Sequence, residues 1–275
     1  MNISSNNHAA QNMLPTAQTC AITFQGNASN NLQQDAFFFL DNWYQEDLGV
    51  MAVTSVELPF CLAVSDGVAS SNYSQHCSKA VVKAISRLWS EQKSIRSEGV
   101  HQLINKTKHS SKRHGAAATL AMIVGELNSD GIIKVTITHV GDSRVYWLPK
   151  GAAQWQCLTR DHNLLNELID QQAQEQGRQA EFTEYNREGM AGSLYSITEC
   201  FALTTDDSYT SSEAPESISR TMDIDGGDCL LVCTDGIHDL VPSQQTPTLA
   251  MVSNYFTKMD INLKYMILID IIIRL

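Results

Sequence analysis

Two apolar segments of this sequence each end in a small hydroxyl residue, an aspartate and a glycine, and no other feature constrains the fold as strongly. The first is LPFCLAVSDG at Leu58–Gly67, and the second is DCLLVCTDG at Asp228–Gly236. Short apolar runs of this kind indicate buried strands. A carboxylate at the mouth of a buried strand is costly unless a partner stabilises it, and a hard divalent cation is a natural partner. Because Asp66 and Asp235 are far apart in the chain, only the fold could bring them together.

The alternative interpretation of an Asp-Gly pair is an ordinary hairpin turn. Asn128–Gly131 is such a case, because its flanks are polar and no buried run precedes it. Glycine after each aspartate lets the backbone turn sharply and lets its carbonyl approach a metal closely. Two copies after apolar runs keep a metal site and a pair of simple turns both open at this point.

The remaining pattern predicts a mixture of short strands and amphipathic helices. We expect strands at Ala21–Phe24, Ala36–Leu40, Ala116–Val124, Ile132–Val140, Val145–Leu148 and Gln156–Thr159. We expect helices at Tyr73–Glu91, where apolar residues recur at helical spacing, around Gly99–His109, and at Asn163–Gln176. Residues 177–227 are polar and predict a long surface excursion.

Composition and charge exclude several classes of protein. Hydrophobic residues at 43% and charged residues at 18% are typical of a soluble globular protein. A formal net charge of −11 argues against nucleic-acid binding, which needs a basic footprint. The seven cysteines are odd in number and scattered, which favours reduced thiols over a disulfide framework.

The two ends of the sequence predict no membrane segment. The first twenty residues lack the basic region and apolar core of a signal peptide. The apolar stretch Tyr265–Leu275 contains Asp270 and Arg274 and is too short to cross a bilayer. We therefore expect a cytoplasmic protein with no membrane partner.

A further set of motifs resembles the metal-dependent protein phosphatase family of type 2C. THVGDSRVYWL at Thr138–Leu148, followed by LTRDHNLL, is similar to that family's Gly-Asp-Ser-Arg hairpin and its later Asp-His pair. The two Asp-Gly strands match its metal-binding motifs in order, and Leu231–Val241 is the nearest match. Gly115–Val124 resembles its Gly-x-Thr strand, and Asp35 in NLQQDAFFF resembles its N-terminal aspartate. The resemblance covers about residues 20 to 242, and the ordered set of four motifs is specific.

The resemblance implies an α+β fold, an antiparallel β-sandwich flanked by helices in four α-β-β-α layers. It implies a single phosphatase-like domain at residues 20–275, and the Asn-, Ser-, Gln- and Ala-rich composition of residues 1–19 predicts a flexible N-terminal tail before it. Within that domain, residues 243–275 are atypical and the C-terminal strand region is apparently incomplete. The residues after Asp66-Gly67 are more similar to bacterial-type members, because Val68 stands where some other members carry a histidine.

The resemblance also implies a site with two Mn²⁺ or Mg²⁺ ions at one end of the sheets. Asp66 would bridge both ions, the Gly67 carbonyl would bind one, and Asp235 would bind the other, so that Asp66 and Asp235 are the expected catalytic residues. Asp35 would hold water bound to the metals, and Asp142 would help to bind a third, weaker ion. The implied reaction is hydrolysis of phosphoserine or phosphothreonine in proteins by a metal-activated water. The implied partner is a phosphorylated protein, the target of a serine/threonine kinase.

Three departures from the family pattern favour a second interpretation. The family commonly has an arginine or lysine before its first acidic motif, whereas Asn30 stands near that place and no Lys or Arg precedes Lys79. The histidine after Asp66-Gly67 is absent. The final Asp-Asn-x-Thr motif is also absent, and Asp260 and Asp270 are the acidic candidates there. The short length and changed character of that end suggest truncation or a frame change. We expect the lost carboxylate to weaken one metal site and to remove sheet pairing.

Two other interpretations therefore stay open beside an active phosphatase. One is a catalytically impaired relative that binds phosphoproteins or regulates, with substrate-binding residues unknown in either case. The other is an unrelated β-rich binder of metals or carbohydrates. For individual residues, we expect Arg144 to form a salt-bridged turn with Asp142, His139 to be a core histidine, and His162 to support a loop.

Overall fold

A computed structural model of the chain describes residues 16–24, 32–92, 94–107, 109–205, 213–238 and 268–274. Its main elements are two antiparallel sheets and four α-helices. The helices are α1 (Ser74–Ser90), α2 (Ser97–Asn105), α3 (Leu164–Glu175) and α4 (Asp235–His238). Short 3₁₀ turns occur at Ser111–Arg113, Phe182–Glu184 and Gly192–Tyr195.

The first sheet joins the two ends of the chain with strands from its middle. Its order is β11 (Gln156–Cys157), β10 (Arg144–Leu148), β14 (Cys229–Cys233), β15 (Leu268–Arg274), β1 (Thr16–Phe24) and β4 (Gly49–Val50), with β5 (Thr54–Glu57) also paired to β1.

The second sheet contains the first Asp-Gly strand. Its order is β13 (Ile218–Ile224), β9 (Ile133–Val140), β8 (Leu120–Leu127), β6 (Phe60–Ser65), β2 (Ala36–Phe39) and β3 (Asn42–Tyr44). A separate two-stranded sheet pairs β7 (Ala117–Ala118) with β12 (Phe201–Ala202).

Apolar side chains fill the space between the sheets and the outer face of the second sheet. In β2, Phe37 and Phe39 point into the sandwich while Phe38 packs beneath the helices, because successive strand residues face opposite sides. All three rings are completely buried, and each such side chain contributes about 1.5–3 kcal/mol to folding. On α1, Val81 and Ile85 pack on the same outer face as Phe38. The central strands are thereby buried on both sides, which fixes their ends in space.

These observations confirm the predicted α+β fold, an antiparallel sandwich flanked by helices. The helix predicted at Tyr73–Glu91 is α1, and the one predicted at Asn163–Gln176 is α3. None of the described helices is both long and apolar enough to cross a membrane.

Two stretches of the chain differ from the predicted elements, and the C-terminal segment described below is a third. β1 begins at Thr16, inside the predicted tail, whereas residues 1–15 lie outside the described part of the chain. The polar stretch 177–227 contributes β13, an edge strand with mostly solvent-facing residues, which is why its pattern predicted no strand. The division into a tail and one domain stays a prediction.

The C-terminal segment Leu268–Arg274 has partners on both sides. Its backbone pairs antiparallel with β14 and with β1, so that Asp270 lies opposite both Cys233 and Ile22. The expected loss of sheet pairing is therefore wrong for residues 268–274, because a different sequence fills this place between the two strands. Asp260 lies outside the described residues.

Candidate functional site

Four aspartates from four separate segments converge at one end of the sandwich. Asp35 directly precedes β2, Asp66 follows β6, Asp142 lies between β9 and β10, and Asp235 begins α4 after β14. Asp35 and Asp66 hydrogen-bond through their side chains, and the charges of Asp142 and Asp235 act on Asp66 as well. The two predicted Asp-Gly strands are thus brought together with both further carboxylates.

The Asp66-Gly67 corner is held tightly by backbone contacts. The Asp66 carbonyl accepts from the Thr119 amide at 2.9 Å, and the Asp66 amide donates to Thr119 Oγ1 at 3.2 Å. The Gly67 amide donates to Asp35 Oδ1 at 3.3 Å. A Cβ at position 67 would lie 2.5 Å from the backbone oxygen of Gln34, so this corner needs glycine for close approach. The turn-residue interpretation of Asp-Gly therefore does not describe this position.

Asp142 follows a glycine turn and keeps one carboxylate oxygen without a hydrogen-bond partner among the described residues. Gly141 has φ +90°, a conformation that favours glycine, and its amide donates to His162 Nδ1 at 3.0 Å. The Asp142 carbonyl lies 3.1 Å from His238 Nε2, which ties this turn to α4. Asp142 Oδ1 is buried and has no hydrogen-bond partner among the described residues. A buried acceptor without a partner is a place where a cation would be stabilising.

Burial away from water, together with nearby acidic side chains, raises the pKa of Asp35, Asp66 and Asp142. Burial, together with the charge of Asp235, raises the pKa of Asp35 to about 6. Burial and the charges of Asp235 and Asp161 raise the pKa of Asp142 to about 7. Burial and the neighbouring Asp35 and Asp235 raise the pKa of Asp66 well above its usual value. The cluster therefore retains protons near neutral pH unless another positive charge enters it.

The chemistry of these groups fits a hard divalent cation. All the candidate donors are oxygens, which Mg²⁺ and Mn²⁺ prefer, and one of them has no other partner. Within the described ranges, however, no three His, Cys, Asp or Glu side chains close around a common point with metal-ligand geometry. The Asp35–Asp66 hydrogen bond holds two of the carboxyls against each other.

Beside the cluster lies a buried ion pair. Arg144 Nε and Nη2 donate to Asp161 Oδ1 and Oδ2 at 2.9 and 2.6 Å, and Nη1 donates to Tyr146 Oη at 3.2 Å. The expected salt-bridged turn between Arg144 and Asp142 is therefore wrong, since the fold brings the Arg144 guanidinium to Asp161 instead. The fork of Arg144 matches this carboxylate in bidentate geometry.

Two histidines form a stacked pair with structural contacts. His139 is buried, its Nε2 contacts the Arg160 carbonyl, and its ring stacks on His162 at 5.0 Å between centroids. Burial, with the neighbouring His139, lowers the pKa of His162 to about 4, so this ring is neutral at physiological pH. The predicted core role of His139 is confirmed, and His162 supports the Gly141 turn as expected.

Sequence reasoning gave no role to Thr119 or His238, which fix the Asp66 and Asp142 segments. Thr119 occurs in the strand singled out by resemblance, and His238 follows Asp235 within one helical turn, so both carried a usable signal. Asn30, the position expected for a phosphate-binding cation, lies outside the described residues.

Comparison with known proteins places this chain in a family. A family model described as protein phosphatase 2C matches residues 28–263. A search of curated proteins finds no match. Similar solved structures include the serine/threonine phosphatase PstP/Ppp of Mycobacterium tuberculosis, with 17% identity and a TM-score of 0.61, covering 95% of this chain and 99% of that one.

Two further structures show the same fold. The S. agalactiae serine/threonine phosphatase has 18% identity and a TM-score of 0.60, covering 93% of this chain and 98% of that one. PppA of Pseudomonas aeruginosa has 14% identity and a TM-score of 0.57, covering 95% and 98%. At such low identity the structural likeness shows the fold, whereas the family model spans most of the sequence. The chain therefore belongs to the protein phosphatase 2C family.

Proposed function

We propose that this chain is a metal-dependent phosphatase that hydrolyses phosphoserine and phosphothreonine in proteins. The observation that carries the proposal is the convergence of Asp35, Asp66, Asp142 and Asp235 at one end of the sandwich. Buried carboxylates that raise one another's pKa are costly to a fold, and such clusters mark functional sites. Membership of the protein phosphatase 2C family gives this cluster a reaction class.

The proposed cofactor is a pair of Mn²⁺ or Mg²⁺ ions, with a third weak site at Asp142. Among similar structures, PstP is described in complex with two manganese ions and RsbX in complex with magnesium. Asp66, the Gly67 carbonyl and Asp235 would hold the pair. When bound, such ions neutralise the phosphate dianion and lower the pKa of water, so that a nucleophile exists at neutral pH.

The chain's own residues would position this chemistry. Asp35 holds Asp66 through its side chain and the Gly67 amide through Oδ1, which fixes the corner between them. With a pKa near 6, the Asp35 carboxyl can accept a proton from water at neutral pH. The Cys61 and Cys77 thiols are poor nucleophiles, because burial raises their pKa and disfavours the reactive thiolate.

The proposed partner is a phosphorylated protein, the target of a serine/threonine kinase, and the proposed location is the cytoplasm. PppA is described as a key regulatory component of a secretion system, which illustrates a regulatory setting for this fold. Signalling by dephosphorylation is the role that this combination supports best.

A catalytically impaired phosphoprotein-binding module is the second candidate. Two observations favour it: no Lys or Arg precedes Lys79, and within the described segments no three side chains form metal-ligand geometry. Such a module would retain the sandwich and bind a phosphoprotein without turnover.

The test is release of phosphate from a phosphothreonine peptide in millimolar Mn²⁺, with and without excess EDTA. We expect metal-dependent turnover that falls at least about a thousandfold in Asp66→Asn, since a metal contributes several kcal/mol to such reactions. A far-UV circular dichroism spectrum and a cooperative thermal unfolding transition, measured for both proteins, control for folding. Folded protein without turnover would contradict the proposal, and calorimetric metal uptake by that protein would separate a defective enzyme from a binding module.

A further inference from the structure

Six basic side chains that do not belong to the aspartate cluster line one groove on the helical side of the molecule. They are His76, Lys79, Lys83, Arg87, His109 and Arg113. The chain carries 30 acidic residues against 19 Lys and Arg, so positive charge is scarce and its concentration in one concave place needs a reason.

The groove is formed by α1, α2 and the 3₁₀ turn that follows them. Lys79, Lys83 and Arg87 recur every four residues and so lie along one face of α1. Arg113 reaches the same space from the turn Ser111–Arg113. The enclosed volume is about 380 Å³, with Leu103 among the apolar side chains of its wall. This space is large enough for several side chains of a bound segment.

Carboxylates do little to neutralise these cations. Arg87 pairs with Glu91 at 2.9 Å, whereas Lys79, Lys83 and Arg113 form no ion pair with any acidic residue that the structure describes. Partial burial lowers the pKa of His76, and the charges of Arg113 and Lys79 add to this effect. Apart from Arg87, the Lys and Arg side chains of the groove therefore have no carboxylate partner among the described residues.

An aromatic ring holds two of the ammonium groups at the groove. Lys79 Nζ and Lys83 Nζ lie 5.0 and 4.4 Å from the centroid of Trp43. A cation over an aromatic face is attracted by the ring and loses part of its freedom. Like charges held close together with no carboxylate to neutralise them form a prearranged site for an anionic ligand.

One end of the groove lies close to the aspartate cluster. The Ser74 hydroxyl, in the first residue of α1, lies 3.0 Å from where a Cβ on Gly67 would be, and it accepts from Gln34 Nε2 at 2.9 Å. His76 follows Ser74 within the same helical turn. A ligand lying along the groove would therefore extend towards the Asp66-Gly67 corner.

We propose that this groove binds an acidic polypeptide segment of the phosphoprotein substrate and holds it while a phosphorylated residue reaches the aspartates. The identity of the partner as a substrate rests on the proposed function, whereas binding of an acidic peptide does not. A peptide is favoured over nucleic acid because the net charge of −11 repels a long polyanion. The mixed wall of Leu103 and basic side chains also suits a peptide's mixed side chains.

The experiment measures binding without catalysis. A fluorescein-labelled peptide of alternating Glu and Leu is titrated with Asp66→Asn protein in EDTA, and the signal is fluorescence anisotropy. We expect the triple variant Lys79→Gln, Lys83→Gln and Arg113→Gln to weaken binding about tenfold, since each exposed charge contact contributes modestly. The control variant Lys134→Gln, Lys150→Gln and Arg220→Gln removes as many charges elsewhere and should change binding less than about twofold.

Equal weakening in both variants, or none in the groove variant, would overturn the proposal. Tighter groove-dependent binding of an oligonucleotide of equal charge would overturn it in favour of nucleic acid. If the groove variant fails to fold, a photo-crosslinking version of the peptide is used on the Asp66→Asn protein with its groove unchanged. Crosslinks in α1, α2 or Ser111–Arg113 support the proposal, and crosslinks elsewhere contradict it. Because neither readout needs turnover, failure of phosphatase activity would leave this result separately interpretable.

Discussion

Two groups of buried charged side chains lie side by side at the end of the sandwich, and they differ in whether opposite charges neutralise them. Arg144 and Asp161 satisfy each other through two charge-assisted hydrogen bonds, and Arg144 also donates to the Tyr146 hydroxyl. Asp35, Asp66, Asp142 and Asp235 form no such ion pair with any Lys or Arg that the structure describes, although the charges of His238 and Arg144 act on Asp142. The satisfied network maintains the fold, whereas the unsatisfied cluster spends folding free energy on carboxylates that an added cation would stabilise.

Breaking the satisfied network should have the largest effect on stability. Asp161→Asn leaves the Arg144 guanidinium nearly buried and without its carboxylate, because the two side chains are only 13% and 4% exposed. We expect a loss of about 3–5 kcal/mol in the free energy of unfolding, measured by urea denaturation. The exposed pair Arg87–Glu91 is the matched control, and Glu91→Gln should cost less than about 1 kcal/mol. Similar losses in both variants would contradict the distinction between buried and exposed pairs.

Relieving the unsatisfied cluster should instead stabilise the metal-free protein. The pKa of Asp142 is raised from 3.8 to about 7, so its folded form prefers the proton. Its contribution to stability is complete below the unfolded-state pKa and is lost as the pH rises through about 7. The Asp142→Asn variant has no carboxyl to ionise at this position, so its free energy of unfolding does not fall in this way. At pH 8 we expect the variant to be more stable than the unmodified chain by at most about 4 kcal/mol.

The difference in unfolding free energy between Asp142→Asn and the unmodified chain should shrink as the pH falls from 8 to 5, in EDTA. Both proteins share the buried neutral histidines, whose protonation destabilises the fold as the pH falls. Subtracting one pH–stability curve from the other cancels this shared contribution. A difference that is constant with pH, or that grows on acidification, would show that the Asp142 carboxyl is not held in its protonated form.

The smallest expected effect concerns the hydroxyl pair that links the two regions. Thr119 Oγ1 lies 2.7 Å from Ser143 Oγ and also accepts from the Asp66 amide. Ser143→Ala should cost about 1 kcal/mol, the usual contribution of one such hydrogen bond, while activity stays within about threefold because Thr119 still holds Asp66. A much larger loss of activity at unchanged stability would assign Ser143 a role in the reaction.

The sequence predicted those parts of the site that depend on local pattern. Apolar runs ending in Asp-Gly identified Asp66 and Asp235, because a buried strand and its exit are local features. The partner of Arg144 was predicted incorrectly, because Asp142 is near in sequence while Asp161 is brought close by the β10–β11 hairpin. β13 was missed because an edge strand with solvent-facing residues lacks an apolar pattern. The position of residues 268–274 between β14 and β1 depends on long-range pairing that no local pattern encodes.

The basic groove shows a similar division. Lys79, Lys83 and Arg87 are spaced for one helical face in the sequence, so a charged stripe on α1 could have been predicted. The approach of Arg113 could not, because it depends on how the turn after α2 packs against α1. Local periodicity thus predicts which residues share an element, and only the fold shows which elements form one site.

Calorimetric titration with Mn²⁺ at pH 6.5 measures whether the four aspartates bind a cation. We expect heat of binding with release of protons, detected as a dependence on the ionisation enthalpy of the buffer, because carboxyls with raised pKa must deprotonate. At a hundred times the dissociation constant, Mn²⁺ should stabilise the fold by about 2.7 kcal/mol. Asp66→Asn should abolish both effects. A folded, unmodified chain that shows neither binding heat nor a higher melting temperature in Mn²⁺ would contradict the assignment of the four aspartates as a cation site.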